Sequence, residues 1–306
     1  MFPRTFVRAF SAASTASKPS TVAVTGSSGY IGSFVVSELL DRGYKVHCPI
    51  RGSKENPGKA AHLLGHPNAS NLTVFDGGDL SKQGSFDEAF ASADAVIHTA
   101  AQVDLGDDES IITDSVEGTK NVLSSVDRSP GVKRFVQTSS VAAIQKYNVP
   151  PDYVFTENDW NDWSTAMNFP ATFVDVRDVA EGHVNALERL PSVHGGRFLL
   201  TNDDGCVESG PLGLGEIAKE AFPEYRFDVK PMYPEHVMML ARPLSRLPVV
   251  GKKIMNEYQR LAQSTPVHFD NASTKTKLGL QFRPLEVTVK EGIESIVEQG
   301  FAEFKK

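Results

Sequence analysis

The stretch TVAVTGSSGYIGS at residues 21–33 constrains the fold of this chain more than any other. Residues 21–25 are a short β-branched run ending at Gly26, and Gly29 and Gly32 follow at steps of three before an apolar, helix-like segment begins at Phe34. The order is strand, tight turn, helix start. Gly26 permits the sharp turn, Gly29 lets backbone approach a pyrophosphate with no Cβ in the way, and Gly32 lets the helix close on the strand. The amides of Ser28, Gly29, Tyr30 and Ile31 then face the phosphates. A glycine triplet alone also fits a flexible loop. The strand before it and the amphipathic residues 34–40 after it favour a dinucleotide site.

The following residues continue the pattern. Residues 30–42 read as a helix with Ile31, Val35, Leu39 and Leu40 inward, stopped by Gly43, and residues 46–50 read as the second strand. In a dinucleotide fold the end of that strand lies beside the adenosine ribose, where an acid accepts from a 2'-hydroxyl and an arginine binds a 2'-phosphate. Arg51 stands there, with Lys54 as a second cation, so NADP(H) is expected over NAD(H). Residues 72–76 are the third strand, and Asp79 and Leu80 follow in the loop expected over the adenine. Asp79 alternatively caps a helix beginning near Phe86.

Residues 93–98 are the fourth strand, with the small residues Thr99, Ala100 and Ala101 leaving room for a cofactor at its carboxyl end. A helix is predicted over 109–126, ended by Ser129, Pro130 and Gly131, and residues 132–138 are the fifth strand, delivering Ser139 and Ser140 to the same rim. Strands alternating with helices give an α/β, Rossmann-type doubly wound parallel sheet.

Bulk properties narrow the partners. A net charge of -7 with no concentrated basic face argues against nucleic acid. Cys48 and Cys206 have no zinc-type spacing and form no disulfide framework. No apolar run reaches the roughly 18 residues that cross a bilayer, so no membrane is expected as a partner. The sequence leaves the oligomeric state open. Residues 1–20 contain Arg4, Arg8 and Lys18, no acid, many Ser and Ala, and Phe2, Phe6 and Phe10 on one helical face. That is the make-up of a mitochondrial transit peptide and predicts a matrix location. Arg8-Ala9-Phe10-Ser11 resembles a matrix-protease sequence cut after Phe10. The alternative is a non-targeting tail on a cytoplasmic protein.

The chain resembles the extended short-chain dehydrogenase/reductase family (NAD-dependent epimerase/dehydratase-like), and within it the dihydroflavonol reductase, cinnamoyl-CoA reductase and ketone/aldehyde reductase group. The resemblance rests on VTGSSGYIG at 24–32, IRGS at 50–53, DL at 79–80, DAVIHTAA at 94–101, VEGTKNVL at 116–123, VKRFVQTSS at 132–140, FVDVRDVAEGHV at 173–184 and FDNASTKTKLGLQFRPLE at 269–286. It implies NADPH-dependent reduction of a small-molecule aldehyde or ketone. It also implies a catalytic serine after the fifth strand, for which Ser140 is the candidate and Ser139 its rival, and a Tyr-x-x-x-Lys on the next helix. In that set the tyrosine gives a proton to the carbonyl oxygen, the lysine lowers the phenol pKa, and the serine donates to the developing oxyanion.

No tyrosine of this chain has a lysine four residues later. Several tens of family residues are missing between Thr165 and Asn168, the span that holds the catalytic helix and a sixth strand. The sheet is therefore expected to stop incomplete after its fifth strand, in a chain truncated by a skipped exon or incomplete gene model. The expected function is an NADPH-dependent carbonyl reductase by descent, impaired or inactive as this chain stands; the alternative is an NADP(H)-binding regulatory or scaffold protein without turnover. Tyr147 and Tyr153 lack the lysine partner. The expected divisions are 1–20, a cofactor domain at 21–165, and residues 166–306 as the remainder and substrate-binding region. Further expectations are Asp178 capping a helix at 179–190, Arg177 and His183 in structural roles, a strand at 198–200, helices at 213–221, 234–246, 251–264 and 285–299, and Met232, Met238 and Met239 in the core or, alternatively, lining an apolar pocket.

Overall fold

A computed structural model describes residues 18–102, 110–146, 149–150, 153–161, 173–190, 192–202, 211–225, 227 and 268–300. The elements in chain order are β1 (Thr21–Thr25), α1 (Tyr30–Asp41), β2 (Lys45–Ile50), α2 (Ala61–Leu64), β3 (Leu72–Asp76), α3 (Asp87–Phe90), β4 (Ala95–His98), α4 (Ser110–Arg128), β5 (Arg134–Gln137), β6 (Val154–Phe155), α5 (Val176–Glu188), α6 (Pro211–Ala221), β7 (His268–Phe269), α7 (Ala272–Leu278) and α8 (Leu285–Glu298). The predicted helices at 234–246 and 251–264, the methionines at 232, 238 and 239, Tyr147, Cys206 and residues 1–17 lie outside the described residues.

The chain divides into two units. The first comprises residues up to Ser139, Val176–Gly196 and Thr276–Leu280; the second comprises Ser140–Asp175, Arg197–Lys275 and Gln281–Lys306. This differs from the sequence-based division at residue 165, because α5 and the 276–280 turn pack into the first unit. Asn185 Nδ2 donates to Leu278 O at 3.1 Å and Arg189 Nη1 to Lys277 O at 3.2 Å.

In the first unit five parallel strands run in the order β3-β2-β1-β4-β5. The order reverses between β1 and β4, which places a crevice at the carboxyl ends of those two strands. β1 is buried along its whole length because helices cover both of its faces, hence its unbroken apolar reading. Side chains alternate across the sheet. Val22 and Val24 meet Val35, Val36, Leu39 and Leu40 of α1 and Val184 and Leu187 of α5. Ala23 and Val96 meet Phe86, Phe90, Val122 and Val126 on the other face, where the two phenylalanine rings stack with centroids 5.6 Å apart.

α5 is tied down along its C-terminal half. Near its C-terminus Arg42 Nη1 donates to Asn185 Oδ1 at 2.8 Å and Glu188 Oε2 at 2.9 Å, and Arg134 Nη1 donates to Leu187 O at 2.9 Å. In mid-helix, His183 Nδ1 lies 2.7 Å from Val179 O and its Nε2 2.7 Å from Thr138 Oγ1. A carbonyl only accepts, so Nδ1 carries the proton and the Thr138 hydroxyl donates to Nε2. His183 is thus a buried, fully engaged imidazole. Asp178 stands inside the first turn of α5, three residues into the helix rather than at its cap, and is fully buried.

The amino edge of the sheet is closed by Asp94. Its Oδ2 accepts from Ser20 N at 2.8 Å, Ser20 Oγ at 2.9 Å and Thr21 N at 2.9 Å. The folded body therefore begins before Thr21, upstream of the expected boundary at residue 20.

In the second unit, β6 and β7 form a short parallel pair, with Ile144, Phe155 and Leu199 as a small core. The strand predicted at 198–200 is absent: Leu199 N donates to the Thr274 side chain at 2.8 Å instead of to a backbone ladder. The helices predicted at 213–221 and 285–299 correspond to α6 and α8. Among the described residues no helix is long and apolar enough to cross a membrane.

Candidate functional site

The rim at the carboxyl ends of β1 to β4 gathers most of the residues singled out in the sequence. Gly26 leaves β1 with φ +69, and Gly29 N donates back to Gly26 O at 2.9 Å. Gly29 is the N-cap of α1 and supplies no side-chain cap, so the first amides of the helix keep their capacity for an anion. Ser28, Gly29 and Tyr30 are exposed, Tyr30 at 72%, while Ile31 is half-buried and Gly32 buried.

The turn is built around close approach. A Cβ on Gly32 would lie 2.1 Å from Gly26 O, and one on Gly26 2.8 Å from Ala100 N. Only glycine satisfies either position. Thr99 Oγ1 donates to Thr25 O at 2.7 Å and Ala100 N to Thr25 Oγ1 at 3.3 Å, which fixes the exit of β4 against the turn. Thr99 and Ala100 are half-buried and Ala101 is exposed.

His98, the last residue of β4, lies behind this contact with Nδ1 2.6 Å from Thr25 Oγ1. Thr25 Oγ1 thus ties the His98 ring and the Ala100 amide to the end of β1. Burial pulls the His98 imidazole down to about 4, and His183 is lowered for the same reason. In the unfolded chain the His98 ring binds a proton near pH 6.5, whereas the folded protein refuses it until about pH 4. Stability is therefore full above pH 6.5 and is expected to fall as pH drops through that window, by about 3 kcal/mol for His98. Melting curves at pH 7 and pH 5 test this. A His98→Gln variant is expected to show a shallower slope, and an unchanged slope would count against the assignment.

At the end of β2, Arg51 is exposed on a loop that folds back on itself. Gly52 takes φ +66, the Asn56 side chain accepts from Gly58 N at 3.2 Å, and Lys59 Nζ donates to Arg51 O at 2.7 Å. Lys59 thereby joins Arg51 and Lys54 as a third cation of this loop. The Asn56-Pro57-Gly58 turn that returns it is its sequence signal. Lys54 is 78% exposed and 3.9 Å from Asp76, a loose pair.

Asp79 does not cap α3. Its Oδ1 accepts from Ser81 Oγ at 2.7 Å and Ser81 N at 3.0 Å, and these bonds, opposed by burial and aided by Lys82 and Arg51, hold its carboxyl below the usual range. α3 starts at Asp87 without a side-chain cap. Leu80 is seated on α4, its carbonyl accepting from Asn121 Nδ2 at 2.8 Å.

Ser139 ends the first unit and Ser140 opens the second. Ser140 is exposed, and its Oγ accepts from Ala142 N at 3.1 Å, capping a single turn at Val141–Ala143. In the second unit a tyrosine and a lysine share one carboxylate oxygen: Tyr153 OH donates to Asp159 Oδ1 at 2.6 Å, and Lys146 Nζ lies 3.2 Å from the same atom. The bond to Asp159 raises the Tyr153 phenol, more than Lys146 lowers it. A proton donor in carbonyl reduction needs the reverse, so this pair does not stand in for the Tyr-x-x-x-Lys set.

Residues 22–161 match the family model described as the NAD dependent epimerase/dehydratase family. The dihydroflavonol 4-reductase of Arabidopsis thaliana is 37% identical over 155 residues, which is 50% of this chain and 40% of that protein. The alignment thus spans well under two thirds of that relative. A cinnamoyl-CoA reductase of Medicago truncatula is 28% identical over 320 residues, covering 92% of this chain and 97% of that one. That alignment is longer than this chain of 306 residues, so parts of the relative stand opposite no residue here. Among solved structures, Gre2 of Candida albicans in complex with NADPH aligns with a TM-score of 0.68 at 21% identity, over 92% of this chain and 99% of that one. Vestitone reductase of Medicago sativa aligns with a TM-score of 0.63 at 20% identity, over 92% and 99%. At these identities the structural likeness is one of fold.

Proposed function

We propose that the first unit, in a chain whose residues 22–161 match the model of the NAD dependent epimerase/dehydratase family, binds NADP(H), and that the chain descends from carbonyl reductases of small aldehydes and ketones. The observation that carries the reading is the cradle at Gly26, Gly29 and Gly32: a Cβ at Gly32 would fill the space the turn needs, and the α1 amides beyond it lack a side-chain cap. The amides of Ser28, Gly29, Tyr30 and Ile31 would hold the pyrophosphate. Arg51, Lys54 and Lys59 would hold a 2'-phosphate, since three cations on one loop suit a dianion. Asp79, Leu80, Thr99, Ala100 and Ala101 would border the adenine and nicotinamide ribose.

NADPH supplies a hydride when bound. This chain's own contribution to turnover is limited because its sequence has no Tyr-x-x-x-Lys. Ser140 can donate one hydrogen bond to a carbonyl oxygen, but no tyrosine of the chain is followed by a lysine four residues later. Binding with weak or absent turnover is the reading that fits these residues; a longer form carrying Tyr-x-x-x-Lys would be the active reductase. The gaps in the alignment with the cinnamoyl-CoA reductase support a lost segment.

The test is a titration of the purified chain with NADPH and NADH by nicotinamide fluorescence, followed by absorbance with a panel of aliphatic and cinnamyl aldehydes. Tight NADPH binding, weaker NADH binding and negligible oxidation are expected. Rapid oxidation would overturn the missing-donor reading, and failure to bind either cofactor would overturn the whole. Sequencing the transcript across residues 165–166 then decides whether a longer form exists. The composition of residues 1–20 supports a mitochondrial matrix destination as a separate proposal.

A further inference from the structure

Trp160, in the second unit, is 60% exposed, yet the chain on either side of it is fixed. Before it, Asp159 is buried and its carboxylate accepts from Tyr153 OH at 2.6 Å, Thr156 N at 2.9 Å and Thr156 Oγ1 at 3.3 Å, with Lys146 Nζ 3.2 Å away. After it, Asn161 N donates to Ala143 O at 2.7 Å and Asn161 Nδ2 to Ala142 O at 3.0 Å. The indole is thus presented to solvent from backbone that is anchored at both neighbours. Arg197 lies over the ring, its guanidinium carbon 3.7 Å from the centroid, and its Nη2 donates to Asp159 O at 2.9 Å. A guanidinium has five N–H donors in a planar fork, and the Asp159 carbonyl takes one of them. Arg197 is half-buried, and among the described residues no carboxylate pairs with it, in a chain where acids outnumber basic residues 38 to 31.

A pre-set aromatic ring beside a cation without an acid matches a ligand that is flat and apolar with an anion at one end. A carboxylate meets a guanidinium edge with two parallel hydrogen bonds, and an aromatic ring packs against exposed indole offset or edge-on. A bare anion would use the cation and leave the ring in water. We propose that Trp160 and Arg197 form a binding site for an aromatic carboxylate, its carboxyl group on the fork of Arg197 and its ring against the indole. Holding the 156–161 segment together requires of Arg197 only the bond to Asp159 O. It requires neither an exposed tryptophan nor an arginine without an acid. All of these residues lie in the second unit, so the site is independent of the cofactor reading for the first.

The test is calorimetric titration of the full chain, without cofactor, with 2-naphthoate, 2-naphthylmethanol and acetate. The naphthoate is expected to bind, and the alcohol and acetate each at least about tenfold more weakly, since each lacks one half of the match. An alcohol that binds as well as the naphthoate would overturn the part given to Arg197, acetate that binds as well would overturn the part given to Trp160, and no binding of the naphthoate at millimolar concentration would overturn the site. Arg197→Lys keeps the charge and loses the planar fork, and is expected to bind the naphthoate about tenfold more weakly; Trp160→Ala is expected to lose about fivefold. Unchanged affinity in either variant would remove that residue from the site. The comparison of the three probes uses the unaltered chain, so it decides the proposal even where a variant fails to fold.

Discussion

Gly32→Ala is expected to abolish NADP(H) binding and to cost about 2–3 kcal/mol of stability, the upper range for forcing a methyl into a packed site. The added Cβ would stand 2.1 Å from Gly26 O and 2.7 Å from Gly26 C, both backbone atoms. Gly26 has nowhere to retreat. Its φ of +69 is already the left-handed conformation, and on its other side a Cβ would lie 2.8 Å from Ala100 N, so backbone packs closely there too. Relief therefore requires the start of α1 to lift off β1, which moves the amides that are to meet the pyrophosphate. Gly29→Ala is the informative contrast. Its Cβ would sit 3.2 Å from Gly26 O on an exposed turn, so it is expected to leave the melting temperature nearly unchanged while blocking approach of the phosphates. Circular dichroism melts paired with NADPH titrations separate the two; wild-type binding by either variant would remove the turn from the site.

Arg51→Ala is expected to weaken NADPH about 10- to 100-fold and NADH by no more than about two-fold, because a charge-assisted pair with a 2'-phosphate contributes about 1.5–3 kcal/mol and NADH has no such group. Lys59→Ala should follow in the same direction with a smaller loss, since Lys59 donates to the Arg51 carbonyl and shapes the loop as well as charging it. Both losses should shrink as salt rises, because the loop is solvent-exposed. Equal losses for the two cofactors would assign Arg51 a structural role.

The parts of this fold that could be read from the sequence are those set by neighbours in the chain. The β-branched run of β1, the glycine steps after it, and the Gly43 stop with φ +79 depend on backbone sterics within a few residues, and each appears where its spacing places it. The short, fully buried run of β4 is likewise local. Contacts between distant segments leave no such trace. Nothing around Val176 announces that its helix packs beside α1, and nothing around Leu199 announces that Thr274, from α7, will take its amide. Asp79 illustrates a competition between two local options: the serine two residues on gives its carboxylate an amide and a hydroxyl at once, and the helix farther on receives neither. Lys18 is harder still, since its composition belongs with the targeting segment while its charge is claimed by Glu188, on a helix far along the chain.

The first unit is discontinuous, and protein synthesis runs in one direction. By the time β5 has left the ribosome the nascent chain has all five strands of the sheet, but the face of α1 carrying Val35, Val36 and Leu39 still lacks Val184 and Leu187 of α5. The 276–280 turn that accepts from Asn185 and Arg189 arrives later again, when translation has passed nine-tenths of the 306 codons. This unit can close only at the end of synthesis, so its apolar face stays incompletely covered through most of elongation.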